Sequence, residues 1–162
     1  MIETSRPVRS IPRQRSRGQA LAEFALVAPF FFLVLFGIIE AGRFMFYYET
    51  LNNATREGAR YAIVHGANSF DCTGPPAPEA ASACDPSGAD VTQRVRDAAF
   101  GVLGTAVAVT PVWLQSDGVS PGTNARGQTI TVTAVFTYTS LVPLLPLPPI
   151  TVEAESSLVI NN

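Results

Sequence analysis

Residues 18–43 read GQALAEFALVAPFFFLVLFGIIEAGR, and the fold turns on them. From Phe24 to Ile39 there is no charge, and twelve of those sixteen residues are Leu, Ile, Val or Phe. Sixteen helical residues cover about 24 Å, somewhat less than the roughly 30 Å hydrocarbon core of a bilayer. Counting from Ala20 to Gly42 gives 23 residues, with Glu23 and Glu40 near the two ends. The large apolar side chains sum to about −4 to −7 kcal/mol on an insertion scale, enough to offset Pro29 and a carboxylate near the interface. A buried core helix is the alternative. Three consecutive phenylalanines, Phe30 to Phe32, in a helix apolar all round suit lipid better.

The flanking charge gives that segment a direction. The chain has 162 residues and a formal net charge of −2, with 47% hydrophobic and 15% charged residues. That length supports one compact domain plus an appendage. The charged share lies below the roughly 25% usual for soluble domains, which excludes disorder through charge. All eleven basic residues are arginines, and Arg6, Arg9, Arg13, Arg15 and Arg17 precede the apolar run beside one acid, Glu3. The tail is therefore +4 and the remainder −6. Basic flanks stay cytoplasmic, so the residues beyond about Arg43 are expected outside. A cleaved secretory signal is the competing reading. No small-x-small site follows Ile39, and Phe44, Tyr47, Tyr48, Leu51, Ala54, Gly58 and Ala62 continue the helical spacing. One helix from about Gln19 to His65 is expected.

A carboxylate at Glu23, inside the apolar segment, is costly unless it reaches the headgroups or has a function. Its setting, RGQALAEFALVAPFFFLVLFGIIEAGR, resembles a type IV prepilin-like leader: basic segment, glycine, then glutamate five residues on. LNNATREGARYAIVHG (Leu51 to Gly66) resembles the helix continuation of TadE-like proteins, minor pseudopilins of bacterial tight-adherence (Flp-type) pilus systems. FTYTSLVPLLPLPPITVEAESSLVI, from Phe136 to Ile160, has that family's strand, Leu/Pro-rich turn and final strand. The resemblance implies cleavage between Gly18 and Gln19 by a membrane-embedded prepilin peptidase. It also implies that Glu23 pairs with the new N-terminal amine of a neighbouring subunit. Opposite charges in a low-dielectric medium attract strongly and relieve each other's burial, which makes that pairing physically sound.

Beyond His65 the chain turns Ala-, Pro-, Gly- and Ser-rich around Cys72 and Cys84. Outside the cytoplasm such a pair reads as a disulfide, with free thiols the alternative. A metal site has little support from one histidine and two cysteines. Next, DPSGADVTQRVRDAAFGVLG reads as a helix with Val91, Val95, Ala98, Ala99, Val102 and Leu103 on one face. Asp85 or Ser87 would cap its start and Gly104 its end. A strand is expected over Ala106 to Leu114, with Pro111 requiring an edge or bulge. Thr129 to Thr139 alternates most clearly, with Ile130, Val132, Ala134, Phe136 and Tyr138 on one face. A further strand runs over Ile150 to Ile160, with Ile150, Val152, Ala154, Leu158 and Ile160 inward. Such a sheet has one wet face and needs a cover for the other, and small Ala54, Gly58 and Ala62 would let the helix approach it closely. The expected class is α+β: a long N-terminal transmembrane helix, a pilin-like head with about three antiparallel strands, and a second short helix.

The expected segments are a basic cytoplasmic leader (1–18), the transmembrane helix (19–43), its extracytoplasmic continuation (44–66), and the disulfide loop with the head (67–162). The connection Leu141 to Pro149 folds back onto the sheet end or offers an apolar patch to a partner or the bilayer surface. No enzyme site assembles: His65 is the lone imidazole, Glu153 and Glu155 share a strand face read as solvent, and no nucleotide or HExxH motif occurs. No cofactor, metal, nucleic acid or small-molecule substrate is expected. The reading is a non-catalytic, single-pass pseudopilin working with other pilus subunits. The alternative is an uncleaved bitopic binding module for an envelope partner.

Overall fold

The computed structural model describes residues 16–78, 80, 84–99, 106–141 and 148–161. Helix α1 runs Ser16–Val64, α2 Ala89–Ala99, and three strands follow: β1 Ala108–Leu114, β2 Thr129–Tyr138 and β3 Ile150–Val159. The chain divides after Ile39 into two compact units, and α1 contributes to both. In the first unit the helix passes through Pro29 without a break. The leader arginines Arg6, Arg9, Arg13 and Arg15 lie outside the described residues.

The second unit is the expected α+β arrangement. Its sheet is an antiparallel meander in the order β1-β2-β3. Tyr138 pairs with Ile150 at one end of β2, and Thr129 with Leu114 and Val159 at the other. Pro111 sits on an edge strand, where a missing N–H breaks no ladder. On β2 the inward residues Ile130, Val132, Ala134 and Tyr138 are buried, while Phe136 is half-buried. On β3, Val152 and Ala154 are buried and Leu158 is partly so, and Ile160 just past its end is buried; Ile150, expected inward, is 39% exposed. Glu153 and Glu155 are exposed on the wet face.

The cover is helical. Leu51, Ala54, Thr55, Gly58, Ala59 and Ala62 are buried at three- and four-residue spacing along α1. The buried Thr55 hydroxyl donates back to the Leu51 and Asn52 carbonyls, at 3.1 and 2.9 Å, and so loses no hydrogen bond. Gly58 faces α2 before it faces the sheet. A Cβ there would stand 2.3 Å from Val95 Cγ2 and 3.7 Å from Val132 Cγ1.

From α2, Val91, Val95 and Ala99 enter the core, whereas Ala98, expected on the same face, is exposed. A stripe three residues wide suffices where the helix lies against small residues. Val102, Leu103 and Gly104 lie outside the described residues. Both expected caps act together: Asp85 accepts from the Ser87 and Asp90 amides at 3.0 and 3.2 Å, and Ser87 Oγ accepts from Ala89. Burial works against the charged form of Asp85, but these hydrogen bonds prevail and hold its carboxyl below the usual range.

Cys72 and Cys84 form a disulfide. Asn124, fully buried, ties that loop to the turn before β2. Its side-chain oxygen accepts from the Ala77 amide at 2.9 Å, and its backbone N–H donates to the Pro75 carbonyl at 2.8 Å. Trp113 packs beneath the same loop, and a Cβ at Gly74 (φ 94) would lie 2.3 Å from its Cε2 atom. Loop closure over 12 residues is worth about 3 kcal/mol. Cys72→Ser or Cys84→Ser is expected to open residues 72–84 to limited proteolysis; cleavage kinetics unchanged from the parent chain would contradict this.

Candidate functional site

Two clusters carry the chemistry, one in each unit. In the first, the apolar window of α1 has a mean hydropathy of 2.4 and none of it is buried. Phe24, Leu26 and Phe30 are each about two-thirds exposed. Water around so many large apolar groups is unfavourable by roughly 1.5–3 kcal/mol for each side chain, so this surface calls for lipid or protein. It is long and apolar enough to cross a membrane once. Phe24, Val27, Ala28, Phe31 and Phe32 line a shallow apolar groove. Gly18 and Gln19 are exposed, and nothing lies within 4 Å of a Cβ built at Gly18. Glu23 accepts a hydrogen bond of 3.1 Å from the Gln19 side chain, one turn earlier. Val27 and Phe31 follow Glu23 at four-residue spacing, so an exposed carboxylate heads an apolar stripe.

The second cluster centres on Glu40, which is only 5% exposed. The Tyr138 hydroxyl donates to its Oε1 at 2.5 Å and the Leu141 amide donates to the same oxygen at 3.1 Å. Arg43, one turn along, donates to Oε2 at 2.9 Å. The guanidinium lies 5.5 Å from the ring centres of both Tyr47 and Tyr138. Phe44 and Tyr47 pack edge-on or tilted against Tyr138, at 5.4 and 5.6 Å between ring centres. A buried carboxylate is tolerable here because three donors satisfy it. The spacing of Glu40 and Arg43 was a local signal for the ion pair; the partners Tyr138 and Leu141, about a hundred residues away, left none.

Burial, and then the hydrogen bond to Glu40, push the Tyr138 phenol from 10.0 up to about 12. A raised phenol pKa adds stability that is complete below pH 10 and drains as pH climbs toward 12. Tyr138→Phe is therefore expected to lower the melting temperature at pH 8 by roughly 5 °C. The gap between variant and parent should narrow when melts are repeated at pH 11. A gap that stays constant would contradict this coupling.

His65 follows the end of α1, stacks on the Tyr61 ring at 3.9 Å between centres, and has Nδ1 2.8 Å from the Tyr61 carbonyl. Ala54, Gly58 and Ala62 are buried in the head, and Cys72 and Cys84 lie in the loop above Trp113. Gly18, Gln19 and Glu23 stay together on the first turns of the apolar segment. Among the described residues no group of three His, Cys, Asp or Glu side chains is arranged to hold a metal ion.

Comparison with known proteins gives one family. The model described as TadE-like protein matches residues 18–60. No curated protein and no solved structure gives a significant match. The matched stretch takes in the glycine, the glutamate, the apolar run, Glu40 with Arg43, and the helix as far as Arg60; the cysteine loop and the sheet fall beyond it. Over Gly18 to Arg60, about a quarter of its length, the chain is similar to TadE-like proteins.

Proposed function

We propose that this chain is a membrane-anchored, non-catalytic pseudopilin, a structural component of tight-adherence pilus assembly. The observation that carries the reading is the exposed carboxylate of Glu23 at the head of a wholly exposed apolar helix, inside the TadE-like match. The helix holds the protein in the bilayer with its N-terminus cytoplasmic and its head outside. Cleavage after Gly18 removes the basic leader and leaves a new amine at Gln19. Glu23 of one subunit receives that amine from its neighbour, and the apolar stripe of Val27 and Phe31 supplies the lateral contact. The partners are accordingly other pilin-like subunits and a prepilin peptidase.

A photo-crosslinking residue at Phe31 in the full chain, expressed in its own host, tests this. Adducts with pilin-like or pilus-assembly subunits are expected. Adducts with lipid alone, under conditions where pili form, would overturn the assembly role and favour the uncleaved binding module.

A further inference from the structure

The sheet end beside Glu40 carries exposed apolar residues that the assembly role does not use. Leu141 is 74% exposed, Ile150 is 39% exposed, and Pro148 and Pro149 are exposed between them. The Leu141 amide is bonded to Glu40, and Ile150 pairs with Tyr138, whose hydroxyl reaches the same carboxylate. Glu40 directly follows Ile39, the last residue of the apolar run. Leu141 is thus tied directly, and Ile150 through Tyr138, to the residue at which the apolar run ends in sequence. The charges there, Glu40 and Arg43, neutralise each other.

We propose that Leu141, Pro148, Pro149 and Ile150 form an apolar foot that rests in the outer interface of the bilayer. The occupant is lipid because Glu40, which the Leu141 amide and the Tyr138 hydroxyl hold, directly follows in sequence the apolar run read here as the membrane span. Apolar side chains at a bilayer surface gain by sinking about 5–10 Å into the headgroup and acyl boundary. The foot would keep the Tyr138 end of the sheet at the membrane surface. The inference rests on the membrane-anchored reading of α1 and is independent of any role in pilus assembly.

The test uses the full chain in phosphatidylcholine–phosphatidylglycerol vesicles. No cysteine among the described residues is free, so an environment-sensitive thiol dye marks an introduced residue alone. Leu141→Cys and Ile150→Cys report the foot, Val119→Cys (Val119 is 80% exposed) reports a water-facing loop, and Phe31→Cys reports the span. Lipid spin-labelled near the glycerol is expected to quench the dye at 141 and 150 at least about twofold, with little effect at 119. Acyl-chain labels should quench the dye at 31.

Equal quenching of 141 and 119 by aqueous iodide, with 31 still quenched by lipid, would overturn the foot alone. Shielding of 141 from both lipid and iodide would mean that protein covers it, which also overturns the proposal. A dye at 31 that no lipid label reaches would overturn the anchored reading and the foot with it.

Discussion

Glu23→Ala is expected to abolish incorporation into pilus assemblies while membrane insertion stays intact. Among the described residues the Glu23 side chain has one hydrogen bond, from Gln19, and that bond is exposed and local. A carboxylate so placed gains little for its own helix and is costly to carry into hydrocarbon, so its removal should ease insertion. What the proposed role would lose is the acceptor for a neighbour's amine, in a medium where that attraction is scarcely screened. Loss of only about 1.4 kcal/mol per contact already reduces incorporation tenfold, and each subunit would lose it. Glu23→Gln separates the contributions, since it keeps the polar contact with Gln19 and removes the charge. Both variants should accumulate in the membrane fraction and fall by more than tenfold in sheared pili, measured by immunoblot. Parental incorporation by Glu23→Ala would contradict the pairing.

The second large effect is structural and belongs to Gly58. A Cβ at this position meets Val95 Cγ2 at 2.3 Å, and Val95 is fully buried, so it has little room to retreat. Gly58→Ala sets that clash against the roughly 0.5–1 kcal/mol by which alanine favours a helix interior over glycine. Gly58→Leu adds three further carbons to a filled space, and overpacking of this kind costs about 1–3 kcal/mol or more. The head should lose cooperative unfolding or melt at least roughly 10 °C lower, as read by circular dichroism. Val95→Ala in the same chain should return part of the loss, because the two changes act on one volume. If Gly58→Leu melts with the parent, α1 and α2 do not pack as described.

The parts of this fold that were legible depend on neighbours in sequence. The run around Phe24 to Ile39, 23 residues when counted from Ala20 to Gly42, announces a membrane-length helix by local hydropathy, and Thr129 to Tyr138 announces a strand by its period of two. Asp85 and Ser87 lie within five residues of the amides they cap. What escaped depends on distant partners. Trp113 gained its place only when Gly74 and Gly88 came over it, and Asn124 became buried only against Ala77 and Pro75. Glu40 read as an interfacial acid, because nothing near it in sequence foretells Tyr138 or the Leu141 amide. Ala98 failed for a related reason: helical periodicity cannot distinguish the edge of an apolar stripe from its centre, and packing against Gly58 made the stripe narrow. In the candidate site, the role proposed for Gly18, Gln19 and Glu23 comes from a contiguous pattern of glycine, glutamate and apolar helix.

The most direct measurement is the mass of the N-terminal peptide of this protein isolated from the membranes of its own host. A chain that begins at Gln19, 144 residues long and without the arginine-rich leader, is the predicted result. A chain that retains Met1 and all five leading arginines would contradict it, and would leave the apolar helix as an uncleaved anchor.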